Sequence, residues 1–149
     1  MPEVTATVLP PAPSWRSRWR QIKAPTLLAA GVLAASVLLH LRDPHHSGSW
    51  GYCPWLLLTG TYCPGCGGLR AVNDLTHGDV AAAASSNLLF VCSIPLLGLW
   101  WTRTMVAGWR GTLRPVNSRH AVIACVVFAG LALAFGVLRN TGAGAWLAP

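Results

Sequence analysis

Cys53, Cys63 and Cys66 are the residues of this chain whose type and spacing could do chemistry. They lie in CPWLLLTGTYCPGCGGLRAVNDLTHGD, from Cys53 to Asp79. Cys63-Pro64-Gly65-Cys66-Gly67 has the form of a zinc knuckle, in which a tight turn and a glycine let backbone amides point at thiolate sulfur. A knuckle supplies two ligands. Cys53 offers a third, and His77 is the candidate fourth, with His45, His46 and Asp79 also in reach along the sequence.

The same pair fits redox chemistry. Two thiols at C-x-x-C spacing, with Cys66 at the start of a helix whose dipole lowers thiol pKa, have the geometry of a dithiol exchange pair. Arg70 stands at i+4 from Cys66, on the same helical face, where it would favour thiolate. A third reading is structural: a disulfide from Cys53 to Cys63 or Cys66 pins the loop back on itself. Sequence alone leaves the three readings open.

Other residues in and after the segment have structural roles. Arg70 and Asp74 are four apart and are expected to pair. His77 beside Gly78 also reads as a turn residue. Asp79 immediately precedes Val80, Ala81 and Ala82, where its carboxylate would satisfy free amides at a helix start. Ser85, Ser86 and Asn87 give the following helix a polar side that needs partners. Gly67 and Gly68 ahead of Arg70 suggest either an anion at free helix-start amides or close packing against neighbouring helices. Cys92 and Cys125 fall inside apolar runs, where cysteine behaves as a small apolar residue.

The elements that must position these groups are set by composition. The chain has 149 residues, 53% hydrophobic and only 10% charged, with a mean hydropathy of +0.47. So few charges cannot cover a soluble domain, where about a quarter of residues are charged. The expected fold is an all-α membrane protein with three transmembrane helices, and a Cys-rich loop and short interfacial amphipathic helix between the first and second. The spans are placed at about 25–41, 80–102 and 121–138, each an apolar run long enough to cross a bilayer core of about 30 Å. Pro95 is expected to kink the second, and Trp100, Trp101 and Arg103 mark its exit. Leu69, Val72 and Leu75 recur at helical spacing and define the interfacial helix. Ala132 and Gly136 offer a small-xxx-small helix contact. Residues 1–23 read as a disordered basic cytoplasmic tail, with Trp15 and Trp19 at headgroup depth, and 24–149 as a single membrane domain with its hairpin at 53–79.

A net charge of +7 raises the question of a nucleic-acid partner, which the placement of the cations excludes. Arg16, Arg18, Arg20 and Lys23 precede the first run; Arg103, Arg110, Arg114 and Arg119 separate the second from the third. Cations flanking apolar runs obey the positive-inside rule, which puts the N-terminus inside, the C-terminus outside and the cysteine segment on the outer face. A signal peptide is rejected, because the first run ends in Leu38, Leu39, His40, Leu41 and not in a small-x-small site.

Cys53-Pro54, Thr59-Gly60, the block CPGCGGLRA, Gly78-Asp79, Asn87-Leu88, Leu138-Arg139-Asn140 and Trp146-Leu147-Ala148-Pro149 resemble the bacterial membrane family called domain of unknown function 2752. The chain departs from that pattern at Gly68 and Leu88, where the family has threonine and proline. The resemblance implies a small multi-pass protein of a bacterial cytoplasmic membrane and no established activity. Two functions from different classes follow from the residues. One is a structural or binding module whose outer-face hairpin is fixed by a disulfide or a zinc-type ion, with the lipid bilayer and another membrane protein or a second copy as partners. The other is a thiol-disulfide redox partner using Cys63 and Cys66 with Arg70. No paired carboxylates, catalytic serine or P-loop support further enzyme classes.

Overall fold

In the computed structural model, which describes residues 14–46 and 50–148, Ser14 starts the first helix by accepting the Ser17 amide at 3.3 Å on its hydroxyl. The helix, α1, runs Trp15–Leu41. Residues 15–23 are therefore helical and not part of a disordered tail; a serine cap and a run of good helix formers outweigh their basic charge. The part of the expected tail before Ser14 lies outside the described residues.

Two short helices follow: α2, Pro54–Thr59, and α3, Gly68–Thr76. Next comes α4, Val80–Arg110, capped by Asp79, whose carboxylate accepts the Ala82 amide at 2.8 Å. The last spanning element is α5, Ser118–Arg139, capped by Asn117, and a 3-10 helix, Gly142–Leu147, closes the described chain. There is no strand among the described residues. α1, α4 and α5 are each long and apolar enough to cross a membrane.

α4 is two helices joined across a kink. Asn87, at φ −160° and ψ 90°, is the one non-helical residue within it. Its side-chain oxygen accepts the Phe90 amide at 3.0 Å, so Asn87 serves as the N-cap of the longer second piece. The backbone leaves helical geometry at Asn87, whereas Pro95, where a kink is expected, keeps it. α4 also continues past the expected exit at Trp101 and Arg103 to Gly111, which is left-handed at φ 69°. That extra length packs on the start of α1. Trp109 meets Trp15 edge-on at 5.5 Å, and Trp15 stacks on Trp19 at 6.5 Å. The Trp101 indole donates to the Pro25 carbonyl at 3.0 Å. α1 and α4 come close where Gly108 faces Ile22; a Cβ there would lie 3.0 Å from the Ile22 Cγ2.

α3 packs across the ends of α1 and α4. Ala71, Asn73 and Asp74 are buried against the chain, whereas Leu69 is 48% exposed. Asn73 donates to the Leu39 carbonyl at 2.7 Å, and Ser86 donates to Asp74 at 2.9 Å. A helix on the membrane domain gains by turning polar groups inward, where partners exist, and leaving leucines for lipid. Among the helices, α5 packs chiefly against the 3-10 helix, and most of its surface is uncovered by the chain.

Candidate thiol site

Gly60 and Gly67 make the site possible. At φ 68°, Gly60 ends α2, and at φ 79° Gly67 starts α3, so both bends fall in a region that side chains rarely enter. Between them the chain folds back and gathers three sulfurs. Cys53 Sγ lies 3.6 Å from Cys63 Sγ, which lies 3.0 Å from Cys66 Sγ, and all three fall within 4.8 Å of one another. All five cysteines stand as free thiols in this structure. Tetrahedral zinc with Zn–S bonds of about 2.3 Å separates its sulfurs by roughly 3.8 Å, so the three thiols fit one ion with shifts of an ångström or less.

The loop backbone is held from within. The Asn87 amide donates to the carbonyls of Pro64 at 2.9 Å and Cys66 at 3.1 Å. Arg139 Nη1 donates to the carbonyls of Cys63 at 3.0 Å and Cys66 at 2.9 Å; its Nη2 donates to Leu147 at 2.7 Å and Ser86 at 3.3 Å. Asn140 exchanges two bonds of 2.8 Å with the Tyr62 backbone. The Gly68 amide takes the Gly65 carbonyl at 3.1 Å. Every carbonyl from Tyr62 to Cys66 is therefore engaged, four of the five by side chains from α4 and the end of α5. Gly136 receives the Pro64 ring, at 3.5 Å from a Cβ position. Gly136 of α5 thus serves the hairpin, and Ala132 borders a cavity shared by the hairpin and α4.

On the other side the sulfurs border a cavity of about 490 Å³, also lined by His46, Trp50, Tyr62 and Arg70. Cys66 is buried, and burial pushes its thiol up to about 12; the neighbouring Cys63 and Cys53 thiols act in the same direction. This corrects the expectation of a helix-activated Cys66. The N-cap of α3 is Gly67, and the Arg70 Nε is directed at the Pro44 carbonyl, 3.5 Å away. Cys53 has the opposite tendency: the Leu56 amide at the start of α2 holds its thiol below the ordinary value.

The other residues singled out from the sequence lie elsewhere. His77 sits at the far end of α3, stacked on His40 at 4.2 Å, with its Nδ1 2.8 Å from the Asn73 carbonyl. It does not join the thiols. Arg70 and Asp74 do not pair; Asp74 meets Ser86 and, at 3.3 Å, His45 Nε2. Asp79 is spent on the α4 cap. Of the histidines, His46 borders the thiol cavity. Arg139 entered the sequence reading only through the Leu138-Arg139-Asn140 motif, with no role at the thiols, yet it is 1% exposed and central to the site.

Three helices fit to cross a membrane, with a cluster of three thiols that could hold a metal ion between the first and second, are consistent with a small multi-pass membrane protein. Residues 53–101 match the family model described as Protein of unknown function (DUF2752), the family that the cysteine block resembles. No curated protein and no solved structure matches the chain.

Proposed function

We propose that this protein is a membrane-anchored binding module of a bacterial cytoplasmic membrane. Its outer-face hairpin is made rigid by a zinc-type ion on Cys53, Cys63 and Cys66, and presents a fixed surface to lipid or to another membrane protein. The N-terminus lies inside and the C-terminus outside, in keeping with eight cations on the inner segments. The observation that carries the reading is the convergence of three sulfurs on a loop whose carbonyls are held by Asn87, Arg139 and Asn140. A bound divalent ion would hold the thiols as thiolates and lock α2 to the start of α3.

Metal analysis of the detergent-purified chain tests this. One zinc per chain, lost in Cys63→Ala, is the expected result; a metal-free chain carrying a Cys53 disulfide would overturn it.

The competing redox reading rests on the 3.0 Å approach of Cys63 to Cys66. Burial keeps the Cys66 thiol protonated, which casts it as the resolving and not the attacking thiol of such a pair. Trapping in native membranes separates the two: a mixed disulfide between Cys63 or Cys66 and another protein would favour exchange chemistry over a fixed ion site.

A further inference from the structure

Arg139 closes α5 with a guanidinium that is 1% exposed. Arginine keeps its proton in proteins, so this is a fixed buried positive charge. Such a charge is costly unless an anion balances it. None of the ion pairs among the described residues involves Arg139. The described carboxylates are committed elsewhere: Asp43 to His45, Asp74 to Ser86 and His45, Asp79 to the α4 cap. Four carbonyls and the rings of Phe135, at 5.0 Å, and Tyr62, at 5.6 Å, give only partial charge. Its Nε, also buried, has no hydrogen-bond partner.

Two of the four acceptor carbonyls belong to Cys63 and Cys66, so the guanidinium lies directly behind the thiol cluster. With three neutral thiols, no formal negative charge among the described residues balances it. A divalent ion that displaces three thiol protons to solvent forms three metal–sulfur bonds and leaves a site of net charge −1, which cancels Arg139. Two thiolates and a retained thiol would give a neutral site and no balance.

We infer that Arg139 is a positioning and charge-matching residue for the thiol site: its buried cation, anchored on the Cys63 and Cys66 carbonyls, selects the three-thiolate complex of a divalent ion. This rests on the metal reading above and specifies the ligand state of that site.

Cobalt(II) is the probe, because its sulfur-to-metal charge-transfer band reports how many thiolates are bound. The full chain in detergent is expected to give a three-thiolate spectrum. Arg139→Met should lose one thiolate from that spectrum and bind zinc roughly 10- to 100-fold more weakly, the usual effect of removing a group that supports a metal's ligands. Arg139→Lys, which keeps the charge but not the planar fork, should restore the third thiolate. A purely architectural arginine would give the reverse pattern, with Lys failing as Met does. If Arg139→Met yields no folded protein, Arg139→Lys carries the test alone, and a two-thiolate spectrum in it overturns the inference. A three-thiolate spectrum and unchanged zinc affinity in Arg139→Met would overturn the inference and leave the metal reading standing. A wild-type chain that binds neither cobalt nor zinc would overturn both.

Discussion

At the scale of single residues, the three cysteines are chemically unequal although their spacing makes them look alike. Cys66 faces the Asn87 and Arg139 clasp and is buried; Cys53 caps α2. In metal-free protein, alkylation near neutral pH should therefore mark Cys53 well before Cys66, which mass spectrometry of trapped peptides would read directly. Equal rates would contradict the burial argument. The raised Cys66 thiol also has a sign for stability. Its proton is held more tightly folded than unfolded, so its contribution is complete below the ordinary thiol value of 9.0 and is lost as pH rises towards about 12. The unfolding temperature of metal-free protein should fall over that window, and less steeply in Cys66→Ala. Asn87→Ala removes two donors to the loop and one helix cap. It should destabilise the fold by about 2–4 kcal/mol, from a lost cap and orphaned buried carbonyls, measured by thermal unfolding in detergent.

At the scale of elements, the apolar runs and the Asp79 cap were readable because length and hydropathy decide what prefers lipid. The break in α4 was not. Proline is the usual cause of a kink, and Pro95 drew the expectation, but a proline inside a bilayer-spanning helix can sit in helical backbone, as Pro25 also does in α1. Asn87 breaks the helix because its amide is drawn onto the Pro64 and Cys66 carbonyls, a tertiary demand that leaves no trace in local spacing. Leu88 is then the first helical residue after a cap, a position that tolerates proline. Leu88→Pro should change stability by less than about 1 kcal/mol, whereas Leu99→Pro, inside the second piece, should cost about 3 kcal/mol or more. Comparable losses from both would contradict the two-helix description. α3 was found from its leucine spacing, but the hydrogen bonds of its polar side were not, since the Leu39 carbonyl and Ser86 that receive and supply them come from remote elements. Gly108, at the approach of α4 to Ile22, should not accept valine: the added methyls meet Ile22 and Leu113.

At the scale of the whole molecule, the site is made by ends that are far apart in the sequence. The hairpin supplies the sulfurs, the break in α4 supplies Asn87, and the last turn of α5 supplies Arg139 and Asn140. The 3-10 helix completes it by placing the Leu147 carbonyl on Arg139, a fold-back that needs Gly144, where a Cβ would overlap the Leu138 carbonyl. From sequence, the arginine after an apolar run looks like an interface anchor, because nothing local distinguishes a cation facing headgroups from one turned inward. The motif resemblance did include Leu138-Arg139-Asn140 and Trp146-Leu147, and in the fold Arg139 and Asn140 close on the cysteine loop while the Leu147 carbonyl holds Arg139. Deleting the chain from Thr141 onwards should therefore loosen the thiol site while leaving α1 and α4 packed, seen as faster alkylation of Cys66 with the Trp15 and Trp109 environment unchanged. Orientation is checked independently: reporters fused near Gly48 and near Thr112 should report outside and inside respectively.

X-ray absorption at the zinc edge of the purified full chain addresses the thiol site most directly. The expected result is a first shell with three sulfurs at about 2.3 Å and one lighter atom. A shell of nitrogen and oxygen alone, or zinc held with fewer than two sulfurs, would contradict the assignment of Cys53, Cys63 and Cys66 to a single ion.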